Sequence, residues 1–184
     1  EMQGLETRGP PKPFSAALVQ DFKGFIETGK AHQGDVRELE EMLADERLMA
    51  QWRDGDHKQL QAYRTMAHYQ HPVDAVVGDA AAALRRKVLA HHAVLGSFAG
   101  WDLTGANLSG LDLQGAQLQG ALLESANLTG TLLQGADLRD AVLAHATLLS
   151  TQCQGARLDR ANLGAAHIHN SDFSKASLVN TVFQ

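Results

Sequence analysis

The sequence predicts a mixed fold: an α-helical domain over residues 14–96 that caps a four-sided parallel β-helix over 97–184, behind a flexible linker over 1–13. Three observations lead there. From Trp101 onward the chain divides without a slip into units of five, beginning WDLTG, ANLSG, LDLQG and running to a partial TVFQ. Residues 14–95 instead place apolar residues at helical spacing, with cap signals between the runs. Aromatics make up only 5% of the chain, too few for the aromatic-rich core of a β-sandwich, so Leu and Ala must close the core.

The opening stretch, ending ETRGPPKP, has turn formers and no apolar period. Residue 1 is Glu, so a piece of a longer protein is expected. A first helix follows, with Ser15 as its N-cap and Phe14, Leu18, Phe22, Phe25 and Ile26 along one face. Asp35 and Glu38 form a capping-box pattern ahead of Val36, Leu39, Met42, Leu43 and Met49. Asp56 and Gln59 repeat that pattern ahead of Leu60, Tyr63 and Ala67, and Pro72 closes the run. A last helix is expected from about Asp74, with Val77, Ala81, Leu84, Val88 and Leu95 on its apolar face and Gly96 as its stop.

From Trp101 the central place of each unit is Leu in thirteen of seventeen cases, and Cys153, Ile168, Phe173 or Phe183 in the others. Two places earlier stands Ala in eleven, with Thr or Ser in most of the remainder. An α-helix repeats every 3.6 residues and would smear such a pattern around its surface. A square coil with one unit per side points the central residue and the small residue inward and leaves the other three places facing out. Twenty residues make a turn, and turns stack at the ~4.8 Å spacing of β-strands. The small residue is needed because the backbone square fixes the interior volume and cores pack densely. Gly closes seven units, at corners that need backbone freedom. Trp101 and Leu111 break the small-residue rule, and both lie in the first turn, where no coil lies beneath them. They read as the contact layer for a cap supplied by the preceding helix, since a bare end coil exposes core and strand edges.

This pattern and its A(D/N)LxG consensus resemble the pentapeptide-repeat family over nearly half of the chain. The resemblance implies that the coil is a right-handed quadrilateral parallel β-helix, a pentapeptide-repeat solenoid. The stretch FAGWDLTGANLSGLDLQGAQLQGALLESANLTG, entered from a helix and carrying the GLDL break, is similar to the C-terminal repeat region of large pentapeptide-repeat accessory proteins of bacterial type VI secretion. That similarity implies a non-enzymatic adaptor or chaperone module whose partners are a secretion spike or an effector. The family also includes gyrase-protecting proteins that look like B-DNA in shape and charge, which is the alternative. DNA mimicry requires a long, strongly acidic rod. Here seven acids meet four bases after residue 95, with Arg139, Arg157, Arg160 and Lys175 interspersed.

Reading every twentieth residue gives the outward stacks. One reads Asp102, Leu122, Val142, Asn162, Val182, with three apolar side chains on one face. Leu132 and Leu149 are outward apolar residues on other sides. These five are candidate protein-interaction residues: a surface for a partner, a neighbour or the helical region folding back, or else scattered exposed aliphatics with no role. At the far end, Leu163, Ile168, Phe173, Leu178 and Phe183 are expected to lie partly open beside unpaired backbone. Phe173, Leu178 and Phe183 are thus candidates for end-to-end pairing of two copies, unless further chain continues the coil.

No motif for an enzyme is present. Nucleotide loops, GxSxG, HExxH and paired cysteines are missing, and no cofactor or metal is expected. His68 and His71 lack a third ligand and read as solvated surface residues; His91 and His92 suit a helix C-terminus. His167 and His169 flank inward Ile168 without a carboxylate or thiol beside them. Asp54-Gly55-Asp56 reads as turn plus N-cap rather than a calcium loop. Cys153, the one cysteine, takes an inward place and argues for a reducing compartment, hence the cytoplasm. A net charge of −5 gives no nucleic-acid footprint, and no apolar run approaches a membrane span.

Overall fold

The structure is a computed structural model and describes residues 9–183; the expected linker's residues 1–8 and Gln184 lie outside the described residues. The chain forms two compact units, one over residues 11–63 and one over residues 64–183 together with Gly9 and Pro10.

The first unit holds α1 (Phe14–Ala31), α2 (Arg37–Ala44) and most of α3 (Glu46–Met66). Phe22 of α1 faces Trp52 of α3 with ring centroids 6.2 Å apart, and Lys30 of α1 pairs with Glu40 of α2 at 2.6 Å. Leu18, Phe22 and Ile26 are half-buried, but Phe14 and Phe25 of the expected face are exposed. At about 100° per residue, the covered stripe centres on positions 22 and 26, and Phe14 and Phe25 fall beyond its edge.

Three cap expectations are corrected. Ser15 is not the N-cap of α1: Pro13 holds that place and offers no side-chain bond. The orphan N–H groups of Phe14 and Ser15 donate to Asp56 of α3, at 2.8 Å and 3.1 Å, and the Ser15 hydroxyl donates to the same carboxylate. Asp56 therefore starts no helix. The Asp54-Gly55-Asp56 turn is helix interior, with Asp54 paired to Lys58 one turn on at 2.6 Å. The true start of α3 is Asp45, whose Oδ1 accepts from the N–H of Arg47 and Leu48 at 2.9 and 3.1 Å. A cap pattern inside a strong helical run is overridden because the chain on both sides already satisfies its backbone. Ahead of α2, Asp35 accepts from the Arg37 N–H, and Val36 is the N-cap, without a side-chain bond.

In the second unit, a turn at Ala67–Tyr69 and an extended stretch lead to α4 (Gly78–Ala93), which starts four residues later than Asp74. Its C-terminus is a Schellman closure: Gly96 N–H donates to the His91 carbonyl at 3.0 Å and Leu95 N–H to that of His92 at 2.9 Å. The left-handed residue is Leu95 (φ 54), not Gly96. Leu95 is therefore 88% exposed, outside the apolar face expected for it, and Val77 is exposed too. Gly96 is small for another reason: a side chain there would run into the His91 ring.

The coils follow. Parallel bridges link Asp102 to Leu122, Leu122 to Val142, Asn107 to Asn127 and so on, each pair twenty residues apart. Among the described residues only β1 (Thr147–Leu149) and β2 (His167–His169) extend to three residues, paired in parallel. Between coils, Leu103 N–H donates to the Leu122 carbonyl at 2.7 Å while Leu122 N–H returns to the Trp101 carbonyl at 2.8 Å. Each side ends in a turn whose last residue has positive φ: 65° at Gly105, and also 58° at His145 and 59° at Arg160, where no glycine stands. Asp or Asn before the central Leu accepts from the N–H two residues on, as Asp112 does from Gln114 at 3.1 Å, which tightens the turn.

The interior holds the central residues from Leu103 to Leu158, all buried, with the Ala column between them. Thr131 and Thr151 sit in the small-residue place and donate their hydroxyls to the carbonyls of Leu108 and Leu128, at 2.9 and 2.8 Å. That explains why Thr substitutes for Ala inside a dry core. The repeat begins one unit earlier than the phase counted from Trp101: in Gly96–Gly100, Phe98 occupies a central place, is buried and bonds the Gln117 carbonyl at 2.8 Å. Val88 of α4 joins the same core, with Leu84 and Trp101 packed against it. The His91 ring lies 5.0 Å from Phe98 and 4.6 Å from Trp101, and Lys87 Nζ stands 4.8 Å from the Trp101 centroid.

Candidate interaction surface

Four outward faces follow from the twenty-residue register, and the structure treats them differently. The stack Asp102–Leu122–Val142–Asn162–Val182 forms as expected. Leu122, Val142 and Asn162 are nevertheless buried, Val142 completely. Residues 64–76 run along this face as a strap. Val76 N–H donates to the Gly105 carbonyl at 2.9 Å, and Val73 N–H to Ser125 Oγ at 2.9 Å. His145 Nε2 meets the Gln70 carbonyl at 2.9 Å. From the other edge, Arg64 Nη2 donates to the Gly120 carbonyl at 3.2 Å, and Asn162 Nδ2 to the Arg64 carbonyl at 2.8 Å. The strap is thus bonded on both flanks of the stack, and the reading of Leu122 and Val142 as a surface for a separate partner is corrected. Of the alternatives the sequence left open, the helical region folding back is the one the structure shows. Val182, in the last coil, is half-buried.

Sequence reasoning missed the strap, though a signal for it existed. Gly164 replaces the polar or charged residue usual in the fourth place, and a Cβ there would come within 2.5 Å of His68 Cβ. A Cβ at Gly105 would stand 2.6 Å from the Asp74 carbonyl oxygen. His68 is consequently no solvated surface residue, whereas His71 is exposed.

The next two faces meet at the corner Gly130–Ser150. Leu149 stands before that corner, 37% exposed, and Leu132 after it, half-buried. Polar residues surround them: Asn127, Thr129, Gln134 and Gln152 stand nearby, Asp112 bridges to Leu132 from the preceding coil and His169 pairs with Leu149 from the next. On the fourth face charges pair along the coil. Asp137 meets Arg139 at 2.6 Å and Arg157 at 3.7 Å, and Asp140 bonds Arg160 of the next coil through two contacts of 2.7 Å. The hydrogen bond from Arg139, against the opposing effect of burial, holds the Asp137 carboxyl down at about 2. Arg160 likewise lowers Asp140.

In the last coil, Ile168, Leu178 and Phe183 are exposed, Phe183 to 51%, and Phe173 is half-buried. Leu163 departs from the expected open set: its N–H bonds the Val182 carbonyl at 2.8 Å and the coil of Phe183 covers it.

Among the described residues, no group of three His, Cys, Asp or Glu could hold a metal ion, and no helix is long and apolar enough to cross a membrane. His167 and His169 are exposed on either side of Ile168. Cys153 is buried, and burial, then the charge of Asp172, pushes its thiol up to about 12, so it holds no thiolate at neutral pH. In the first unit, a recess of about 130 Å3 is lined by Pro11, Pro13, Asp56, His57 and Leu60, and its one carboxylate is occupied in closing α1.

The family model for pentapeptide repeats matches residues 97–124, 121–152 and 150–184. Solved structures similar to the chain include a pentapeptide repeat protein of the Arabidopsis thaliana thylakoid lumen, at 27% identity, covering 48% of this chain and 62% of that one, with a TM-score of 0.47. A pentapeptide repeat protein of Nostoc is 31% identical over 62% of this chain and 88% of its own, with a TM-score of 0.35. QnrB1, a plasmid-mediated fluoroquinolone resistance protein, is 26% identical over 44% of this chain and 42% of its own, with a TM-score of 0.42. The chain thus spans less than two thirds of the length of the plant protein and of QnrB1. A search of the curated proteins finds no match.

Proposed function

Residues 97–184 belong to the pentapeptide-repeat family, and from that premise we propose that the chain is a non-enzymatic protein–protein interaction scaffold, its coil wound as a right-handed quadrilateral β-helix. One observation carries this reading. Leu149 and Leu132 flank one corner of the coil on faces that the strap leaves uncovered, amid polar neighbours that include Asp112 beside Leu132. An exposed Leu149 and a half-buried Leu132 set among polar rows suit docking of another protein and offer nothing to catalysis. The junction stretch from Phe98 supports the finer reading, an adaptor in bacterial type VI secretion that acts in the cytoplasm on a spike or effector. The gyrase-directed alternative is weaker, because Asp137 and Asp140 are neutralised by Arg139, Arg157 and Arg160. The fourth face therefore lacks the unbroken negative field of a phosphate backbone.

The test is co-purification of the whole chain with type VI secretion spike and effector proteins. A Leu132→Asp, Leu149→Asp double variant is expected to lose the partner while keeping its melting temperature. Inhibition of gyrase supercoiling at low micromolar concentration, with no spike or effector retained, would overturn the adaptor reading.

A further inference from the structure

The helix α4 is committed to the coil on one side and open on the other. Leu84 and Val88 pack with the core of the coil, and Arg85 Nη1 donates to the Asn107 carbonyl at 3.3 Å. At about 100° per residue, the opposite side of the helix presents Asp79, Ala82, Ala83, Arg86 and Leu89, and all five are exposed. Asp79 and Arg86 stand two turns apart on that side, and among the described residues neither side chain has a partner. Val77, the N-cap residue, is 74% exposed, and Leu89 is 43% exposed. Before Val77 the chain turns down to the coil, where the Val76 N–H bonds the Gly105 carbonyl. A Cβ on Gly78 would meet nothing within 4 Å, so the start of α4 is clear on this side.

The order of these residues is complementary to its own reverse. Turned end for end about the point between Ala82 and Ala83, the helix sets Arg86 level with Asp79 and brings Leu89 close to Val77. We propose that this side of α4 is the contact of a two-fold homodimer. The α4 helices of two copies cross antiparallel at Ala82 and Ala83, and each Arg86 meets the partner's Asp79. The two-fold axis makes every contact twice. Alanine at the crossing lets the helix axes approach to about 8 Å, the short end of helix packing distances. A parallel pairing would set Arg86 against Arg86 and Asp79 against Asp79, so charge selects the antiparallel one. One helix on its copy buries an area at the low end of specific interfaces, below about 1,200 Å2. The dimer is accordingly weak and reversible, and its two charge pairs make it sensitive to salt. It uses neither the Leu132–Leu149 corner nor the last coil, and it stands independently of the scaffold reading.

Sedimentation equilibrium of the whole chain tests this with two single variants. The parent, followed from about 10 μM to about 1 mM at low ionic strength, is expected to show a monomer–dimer equilibrium that weakens in about 0.5 M salt. Arg86→Asp leaves two acids on the face and Asp79→Arg leaves two bases. Each variant alone is expected to have a dissociation constant raised about tenfold or more, since like charges now oppose across the axis. Mixed in equal amounts, the two variants match at both pairs and are expected to associate as the parent does. That recovery also shows that both variants are folded. A parent that stays monomeric across the range overturns the proposal. So does a dimer that neither substitution weakens, which would place the contact elsewhere, as on the last coil. Failure of the mixed variants to associate overturns it as well, because the Asp79–Arg86 register would then be wrong.

Discussion

Asp137 Oδ2 lies 2.6 Å from Arg139 Nη2 and also accepts from Gln119 Nε2 of the preceding coil at 2.8 Å. Two coils thus converge on one nearly buried carboxylate, which Arg139 holds down at about 2. A folded-state value below that of the unfolded chain gives stability that is present above about pH 4 and lost as pH falls toward 2, worth about 2 kcal/mol. Asp137→Asn is expected to lose that stability at neutral pH and to flatten the acid side of the profile. Urea midpoints between about pH 5 and about pH 2.5 decide it. An unchanged acid slope in the variant would assign the effect to other carboxylates.

The corners give a stability prediction with opposite signs at two positions. Ala165 holds φ at 56° in a place that seven other units fill with Gly. A left-handed non-glycine residue costs about 1 kcal/mol, so Ala165→Gly is expected to raise stability by about that much and the melting temperature by about 2–4 °C. Gly105→Ala is expected to do the reverse and by more, because φ is 65° and the new Cβ would meet the Asp74 carbonyl at 2.6 Å. Thermal melts of the two variants, shifting in opposite directions, are the check.

Much of this architecture is legible in the chain because a five-residue period admits so few solutions. Leu103, Leu108, Leu113 and Leu118 announce the four sides, and Asp102, Leu122 and Val142 fall into register by counting twenties. What counting cannot supply is the burial of a side chain that points out of the coil. Val142 is fully buried by contacts from residues some seventy positions earlier, and nothing in its own unit, AVLAH, marks that. Only the glycines that make room, Gly105 and Gly164, leave a trace. The helical half is less legible for a related reason. Asp56 carries a cap signal that serves α1 across the unit rather than the helix around it, so local spacing misplaces it.

The two kinds of outward aliphatic should therefore respond oppositely to the same substitution. Val142→Asp would bury an unpaired carboxylate beneath the strap and is expected to cost about 3 kcal/mol or more. Leu149→Asp replaces a side chain already in contact with water, and a cost within about 0.5 kcal/mol is expected. Chemical denaturation of both variants separates them. Equal costs would mean that the strap does not cover Val142 in solution.

The first unit depends on one carboxylate more than its sequence suggests. α1 begins at Phe14 with Pro13 as its cap residue, so no side chain of its own closes the first turn. Asp56 takes the N–H groups of Phe14 and Ser15 and the Ser15 hydroxyl in addition. Its charge also faces the positive end of the α1 dipole. Asp56→Ala removes all of these together and is expected to cost about 1–2 kcal/mol, with faster exchange confined to the start of α1. Ser15→Ala deletes the hydroxyl alone and should cost less, since both backbone bonds remain. The Ser15 hydroxyl is the largest influence lowering the Asp56 carboxyl, so the closure is complete above the ordinary carboxylate range and weakens as pH falls through it. Amide exchange at Ala16 and Ala17, followed in both variants from neutral to acid pH, tests the order. If Ser15→Ala proved the more damaging, the serine itself would be closing the helix, as its position in the sequence first suggested.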